Sequence, residues 1–320
     1  MKNSIKIALI VSLWTSQIVV YAQTVTKPSS IHKAASARVI SKAAATQYHN
    51  YTTSKPILIP EQKIPLVYTP VEKIHTLHEQ RIDKDIAYGV YMIENIRGGN
   101  NCRAYACQDR VFAGTMLGKT MFAVCDGHGD QGDLIAQDAV EQFVLEAFKH
   151  KEIKYGLVAA CKKLQEKYKN TANAQKSGTT LVAGTLQDNV LTVANVGDSR
   201  LIVIRPSRES IPFSTVDHKG KPGQILALSR SLGDIAMHKL YGLNAEPDIT
   251  KITLEANDVI VIASDGYWDT VSNNETYDFV MAGIKAKCDC KTIAQKLAEA
   301  ARARKSKDDI TVVCVRYKAH

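Results

Sequence analysis

Three acidic clusters, each beside an apolar run, constrain this chain more than any other feature of its sequence. The clusters are Asp126-Gly127-His128-Gly129, Ser264-Asp265-Gly266 and Lys307-Asp308-Asp309, and the apolar runs beside them cover residues 122–125, 259–263 and 310–313. Carboxylates at the ends of buried strands are costly unless a cation gathers them. Hard divalent metals prefer oxygen ligands. The sequence therefore predicts one or two Mg²⁺ or Mn²⁺ ions held by side chains from distant parts of the chain.

Bulk composition permits a large folded domain and excludes few functions. The chain has 320 residues, of which 45% are hydrophobic, and this is enough for a sizeable core. Its formal net charge of +9 would suit an acidic partner, but the basic residues form no evident stripe and accompany no nucleic-acid-binding motif. We therefore expect no nucleic-acid partner.

The N-terminal residues resemble a secretory signal peptide. Lys2 and Lys6 flank the start of a mostly apolar stretch, and residues 20–22 loosely fit a cleavage site. The stretch is short for a membrane-spanning helix, although an uncleaved membrane anchor is the alternative. We therefore predict a signal peptide over residues 1–22 and an exported mature protein, periplasmic or secreted, with no stable membrane insertion after cleavage.

A leader and one folded domain are expected to follow. Residues 23–80 are rich in Ser, Thr, Ala, Lys and Pro and lack sustained periodicity, a pattern typical of a flexible leader. Tighter patterning then predicts a folded domain over residues 81–320. Seven cysteines, an odd number, do not indicate a disulfide framework. Cys125 and Cys314 stand within apolar runs and are expected to be small core residues.

Hydrophobic periodicity predicts an α+β architecture for the folded domain. The predicted strands cover residues 120–125, 179–186, 190–195, 200–205, 259–263 and 310–317, and the predicted helices cover residues 133–149, 155–168, 274–286 and 291–304. Short turns such as Gln187-Asp188-Asn189 require antiparallel pairing. Because the helices come in pairs, we expect antiparallel sheet with helices on its outer faces.

Eight motifs, in this order, resemble those of the PP2C-type (PPM family) metal-dependent protein serine/threonine phosphatases. They are FAVCDGHGD (122–130), SGTTLVAGTL (177–186), ANVGDSRLIVIR (194–205), VDHK (216–219), LALSRSLGD (226–234), EPDIT (246–250), VIVIASDGYWDTVSNNE (259–275) and SKDDITVV (306–313). The resemblance runs from about Tyr88 to Tyr317. It implies a central antiparallel β-sandwich flanked by pairs of helices, a four-layer αββα arrangement.

The resemblance also implies a two-metal hydrolase that acts on phosphoserine and phosphothreonine in proteins. Asp126 matches the family residue that bridges both metals, and the carbonyl of Gly127 matches an adjoining ligand. Asp265 and Asp308 match further metal-binding carboxylates. Two bound metals lower the pKa of a water molecule, which then attacks phosphorus. His128 resembles the general acid that protonates the leaving oxygen.

Two features depart from the family pattern beside the phosphate site. Arg103 is the candidate that would bind two phosphate oxygens, although it stands one residue farther than usual from Gln108-Asp109; Arg97 is the alternative. Asp109 resembles a carboxylate next to the metal site, and the resemblance places it among the metal-binding residues. Gln108 stands where many members carry a metal-bound Glu, so it offers an oxygen but no charge.

Other polar residues in the motifs have weaker functional interpretations. Asp217 and Asp269 match positions that some members use for a third, weaker metal, and a surface turn is an equally good account of Asp217. Asp198 is expected to be a structural turn residue. Arg230 and Asp234 are also expected to be structural, and an internal ion pair between them is one arrangement.

Only residues 220–225 stand where family members carry a longer flap beside the site. The short segment predicts an open cleft and altered specificity. Three hypotheses follow. The leading one is an active, monomeric phosphatase with a phosphoprotein substrate. The second is a pseudophosphatase that binds a partner, which Gln108 and the displaced Arg103 motivate. The third is a hydrolase of small phosphoesters.

Overall fold

The computed structural model describes residues 74–83, 86–94, 107–116, 119–150, 153–220 and 227–318. The predicted signal peptide, most of the predicted leader, Arg97, Arg103 and residues 221–226 lie outside this part of the chain. Among the helices formed by the described residues, none combines the length and apolar character needed to cross a membrane.

The described residues form strands and helices in the following chain order. The strands are β1 (Ile74–Asp83), β2 (Ile86–Ile93), β3 (Asp109–Met116), β4 (Lys119–His128), β5 (Gly178–Thr179), β6 (Leu181–Gln187), β7 (Val190–Val196), β8 (Arg200–Arg205), β9 (Ser210–Ser214), β10 (Leu232–Gly233), β11 (Asp248–Thr253), β12 (Val259–Ala263) and β13 (Ile310–Tyr317). The helices are α1 (Gly132–Lys149), α2 (Ile153–Tyr168), α3 (Ile235–Tyr241), α4 (Asp265–Trp268), α5 (Asn273–Lys285) and α6 (Cys290–Ala303).

The strands form two antiparallel sheets. The first sheet has the order β1-β2-β13-β12-β8-β9, and the second has the order β10-β5-β4-β6-β7-β11, with β3 paired to β4 on its other side. Helices α1 and α2 pack together, with α1 against β3 and β4 of the second sheet, whereas α6 packs on β2 and β13 of the first. The predicted α+β fold, a β-sandwich between helix pairs, is confirmed.

Four strands of the first sheet, β2, β8, β12 and β13, are buried on both faces. Ile260 and Ile262 of β12 join an apolar interior shared with Phe122 of the second sheet. Val259 and Val261 point the other way and pack in a second cluster with the helices. Burial on both faces explains why these strands read as continuous apolar runs rather than as alternating patterns.

Local contacts set how closely the helices approach the sheet. A Cβ at Gly89 of β2 would overlap the backbone of Lys291 in α6, so only glycine permits this approach. Asp289 caps the N-terminus of α6, and its side chain accepts the Thr292 N–H at 2.7 Å.

Several strands were absent from the sequence prediction. β1 pairs with β2 along its length, so the predicted boundary at residues 80/81 falls inside a strand. β11 pairs with β7 but is largely exposed. Four of its six residues are polar, so its sequence shows no clear hydrophobic pattern of a strand. The four predicted helices, in contrast, begin and end within two residues of α1, α2, α5 and α6.

Candidate metal centre

One end of the sandwich brings the three acidic clusters together. Asp126 lies near the end of β4, and Asp109, at the start of β3, is its partner in the register. Asp265 begins α4 directly after β12, and Asp308 precedes β13. Because β12 and β13 are antiparallel neighbours, the end of β12 and the start of β13 lie side by side. Asp265 and Asp308 therefore lie at the same end of the sheet.

The side chains of Asp126 and Asp265 form a carboxyl pair. They are hydrogen-bonded to each other. Burial, followed by the charge of Asp265, raises the pKa of Asp126 well above its ordinary value. Burial, followed by the charge of Asp198, raises the pKa of Asp265 to about 7. Asp308 contributes to both shifts. Like charges held this close favour proton sharing unless a cation neutralises them.

Asp109 connects the two sheets at this edge. Its side chain is fully buried, and Oδ2 accepts hydrogen bonds from Ser264 Oγ at 2.8 Å and Thr311 Oγ1 at 2.6 Å. The other oxygen, Oδ1, is buried without a hydrogen-bond partner in the described part of the chain. Burial and the charge of Asp309 raise the pKa of Asp109 well above its ordinary value. The centre is therefore short of positive charge.

Gln108 is turned toward the loop that follows β4. Its side-chain Nε2 donates to the carbonyl of Gly129 at 2.6 Å, and its backbone N–H donates to Asp309 Oδ2 at 3.0 Å. Its backbone carbonyl accepts the N–H of Gly127 at 3.2 Å. A Cβ at Gly127 would overlap the carbonyl of Gly132, so the strand end and the start of α1 touch. Gln108 thus has a supporting role that its sequence position did not indicate.

His128 pairs with a carboxylate. Its Nε2 lies 2.6 Å from Asp234 Oδ2, and Asp234 is only 1% exposed. Asp234 adopts φ 46° at the start of α3, and its Oδ1 is buried without a partner in the described part of the chain. The considered ion pair between Arg230 and Asp234 does not form. Arg230 Nη1 instead donates to Asp248 Oδ1 at 2.6 Å and to the carbonyl of Glu246 at 3.0 Å, whereas Asp234 faces His128.

The Asp217-His218-Lys219 segment is anchored residue by residue. Arg200 donates to both oxygens of Asp217, at 2.8 and 2.6 Å. His218 Nδ1 accepts the Gly197 N–H at 3.1 Å, so its Nε2 is the nitrogen that donates to Asp248 Oδ2 at 2.9 Å. Asp217, predicted as a ligand of a third metal, is therefore already held by a guanidinium.

Lys219 holds the other carboxylates of this region. Its Nζ donates to Asp198 Oδ2 at 2.9 Å and to Asp269 Oδ1 at 3.1 Å. Asp198 is buried, and burial, outweighing the opposing charge of Lys219, raises its pKa. Asp269, the second predicted ligand of a third metal, is thus paired with an ammonium. Asp198 is more than a turn residue, because it lies close enough to Asp265 to raise the pKa of that carboxyl.

The donor set fits hard divalent cations at Asp126, Asp265 and Asp308. In the described part of the chain, no three His, Cys, Asp or Glu side chains already stand in a coordination arrangement. However, the mutual raising of the carboxyl pKa values and the orphaned Asp109 Oδ1 both indicate unmet demand for positive charge. Arg103, the predicted phosphate ligand, lies outside the described residues.

Sequence reasoning missed two residues of this site. Asp234 and Lys219 both stand within quoted motifs, LALSRSLGD and VDHK. A motif shows that a residue is present but does not show which distant side chain it meets. The pairing of Asp234 with His128, 106 residues apart in sequence, follows from β5 lying between β4 and β10.

The fold is shared with solved structures of known phosphatases. A solved structure of the catalytic domain of the serine threonine protein phosphatase PstP, in complex with 2 manganese ions, superposes with a TM-score of 0.56 at 20% identity and covers 73% of this chain and 99% of that chain. The family model for protein phosphatase 2C matches residues 108–224 and 214–310.

Curated relatives agree with this assignment. Probable protein phosphatase 2C 17 of Arabidopsis thaliana is 31% identical over 268 residues, covering 73% of this chain and 89% of that protein. Probable protein phosphatase 2C 11 of the same plant is 30% identical over 222 residues, covering 61% of this chain. The chain spans only 58% of the length of the latter. The chain belongs to the protein phosphatase 2C family.

Proposed function

We propose that this protein is a Mg²⁺- or Mn²⁺-dependent phosphatase that hydrolyses phosphoserine and phosphothreonine in proteins. The observation that carries the proposal is the half-buried pair of Asp126 and Asp265, with Asp308 beside it and the fully buried Asp109 opposite Asp126 in the strand register. Such a concentration of carboxylates is favourable at neutral pH only with a bound cation. Membership of the protein phosphatase 2C family supports the same reaction.

The metal ions would be held by oxygen donors at the edge of the sandwich. The proposed ligands are Asp126, Asp265, Asp308 and the carbonyl of Gly127, with Asp109 next to them. Bound divalent ions supply Lewis-acid charge and lower the pKa of water. The chain keeps the donors in place, since Ser264 and Thr311 both clamp Asp109.

His128 would donate the proton that the leaving oxygen needs. A serine or threonine alkoxide is strongly basic, so its departure is slow without a general acid. The hydrogen bond from His128 Nε2 to Asp234 orients the ring and leaves Nδ1 as the nitrogen for the leaving oxygen. Asp234 is therefore a positioning residue, because it acts on the reaction through His128.

Arg103 remains the proposed phosphate-binding residue, with Arg97 as the alternative. A guanidinium binds two phosphate oxygens at once, whereas an ammonium binds as a point charge. Replacing each arginine in turn by lysine distinguishes them. The residue that binds phosphate is the one whose replacement raises KM for a phosphopeptide at saturating metal.

A pseudophosphatase is the second candidate, and Gln108 favours it. Its amide nitrogen is engaged by the Gly129 carbonyl, and it brings no charge to the metal centre. Hydrolysis of small phosphoesters, which the short segment at residues 220–225 favours, is the third. These candidates differ in turnover on phosphopeptides and on small esters.

The deciding experiment measures phosphate release by residues 23–320 with excess Mn²⁺ or Mg²⁺. The substrates are a phosphothreonine peptide and p-nitrophenyl phosphate. Asp126→Asn and Asp265→Asn are compared with Asp188→Asn, a change in the exposed turn between β6 and β7. Peptide turnover lost only in the first two variants supports the proposal. Folded wild-type protein without turnover on either substrate favours the pseudophosphatase, and turnover on the small ester alone favours the third candidate.

We also propose that residues 1–22 are removed on export and that the mature enzyme acts outside the cell that makes it. The basic start and apolar stretch of the sequence support this location. Mass spectrometry of the N-terminus of protein from each cell fraction tests it. An intact N-terminus on cytoplasmic protein would refute the proposal.

A further inference from the structure

Two cationic side chains already occupy the carboxylates that a third metal would need. Arg200 binds both oxygens of Asp217. Lys219 Nζ lies between Asp198 and Asp269, at 2.9 and 3.1 Å. The residues therefore do not fit a third divalent ion as they stand.

Of the two cations, Lys219 is the one that borders the proposed metal centre. Its partner Asp198 is buried and lies close enough to Asp265 for the two charges to interact. Asp269 also interacts with Asp265. An ammonium placed between Asp198 and Asp269 thus neutralises part of the charge that faces Asp265.

We propose that the ammonium group of Lys219 takes the place of a third divalent cation in this protein. A metal ion bound to the same oxygens would lie within a few ångströms of the ammonium, and the two positive charges would repel each other. Among the described residues, the proposed cation-binding carboxylates are then Asp126, Asp265 and Asp308, without Asp217 and Asp269. The positive charge that a third metal ion would bring is supplied by the Lys219 side chain. This charge does not depend on the concentration of metal ions.

Backbone contacts keep Lys219 in this position. The neighbouring His218 is fixed by Gly197 and Asp248. The residue after Lys219, Gly220, donates its N–H to the carbonyl of Ala227, and Lys219 itself pairs with Leu228 in an isolated antiparallel bridge. The backbone that carries Lys219 is therefore anchored, and its side chain, which is 46% exposed, is held by the two carboxylates that it contacts.

The test counts Mn²⁺ ions bound per chain by isothermal titration calorimetry and by elemental analysis after equilibrium dialysis. Lys219→Met removes the charge but keeps most of the apolar stem, and Lys219→Arg keeps the charge. Lys239→Met, which changes an exposed lysine on α3, is the matched control. We expect Lys219→Met to bind one more ion than wild type, whereas Lys219→Arg and Lys239→Met bind the wild-type number.

The double variant Lys219→Met/Asp269→Asn locates the added ion. The proposal expects the extra ion to be lost again in this variant. An equal number of ions in wild type and Lys219→Met, or an extra ion that survives Asp269→Asn, overturns it. Should Lys219→Met fail to fold without metal, Mn²⁺-dependent refolding followed by circular dichroism provides the same comparison, because only an added cation replaces the lost ammonium.

The role proposed for Lys219 rests on the proposed function only for the number of Mn²⁺ ions that the wild-type protein binds. Wild-type protein that binds no Mn²⁺ contradicts the proposed function. The difference between wild type and Lys219→Met tests the role of Lys219 separately, because it is measured as additional ions and not as turnover.

Discussion

His128 Nε2 lies 2.6 Å from the buried carboxylate of Asp234. This hydrogen bond fixes the orientation of the imidazole ring. A general acid needs such a fixed orientation, because its proton must point at the leaving oxygen. The relationship leads to a prediction that depends on the leaving group.

Replacing Asp234 by Asn should lower kcat for a phosphothreonine peptide by about 10–100-fold and change KM little. The rate for p-nitrophenyl phosphate should change far less, because its leaving group needs no proton. Steady-state kinetics with both substrates measure the difference. His128→Gln should show the same selectivity, and the double variant should add little to either single change. Equal losses on the two substrates would indicate a merely structural role for Asp234.

The metal-free protein should lose stability as the pH rises from about 4 to about 7. The pKa of Asp265 is raised to about 7 by burial and by Asp198, whereas in the unfolded chain it ionises near 4. The folded state therefore binds the extra proton within this window, and stability falls with rising pH by about 2–4 kcal/mol. Urea unfolding at several pH values in EDTA measures the slope.

Asp265→Asn should flatten that slope and stabilise the metal-free protein near pH 7. The same change should abolish the rise in unfolding temperature that Mn²⁺ gives to wild type, because a ligand is lost. A variant that stays as responsive to Mn²⁺ as wild type would contradict the assignment of Asp265 to the metal centre.

Replacing Thr311 by Val should cost about 1.5–3 kcal/mol of unfolding free energy. The change keeps the shape of the side chain and removes a 2.6 Å hydrogen bond to the buried Asp109. Chemical denaturation with excess Mn²⁺ measures the cost. Thr253→Val, at an exposed position in β11, should change stability by less than about 0.5 kcal/mol.

Replacing Gln108 by Glu should tighten Mn²⁺ binding by about 10-fold, since affinity at oxygen sites follows the number of charged ligands. It should also destabilise the metal-free protein, because the hydrogen bond to the Gly129 carbonyl is lost and a further carboxylate joins Asp126. Calorimetric titration and EDTA-treated thermal unfolding measure the two effects. Gln187→Glu, in the exposed end of β6, adds the same charge at a distant position and should do neither.

The elements that could be predicted from the sequence are those whose own residues carry a clear hydrophobic pattern. Strands such as Val259–Ala263 carry the apolar run of a doubly buried strand, and α1 carries helical spacing over four turns. The edge strand β11 escapes such reasoning because its side chains are mostly exposed and its order comes from pairing with β7.

The sequence could predict which acidic residues belong to the candidate site. It could not predict which side chains form ion pairs with each other. Asp126, Asp265 and Asp308 could be selected because each belongs to an acidic cluster beside an apolar run. The partners of Asp217 and Asp269 could not, because Arg200 and Lys219 reach them through the fold of the sandwich rather than through sequence proximity. Burial decides such pairings, and burial is a property of the assembled structure.

The anchoring of Asp217-His218-Lys219 has a consequence for how this protein could diversify. The N–H of Gly220 donates to the carbonyl of Ala227. The two ends of the segment between these residues are therefore held together, next to Lys219. Lengthening a loop whose ends are already joined costs little conformational entropy. Insertions between these two residues would therefore change the surface next to Lys219 while leaving its ion pairs with Asp198 and Asp269 in place.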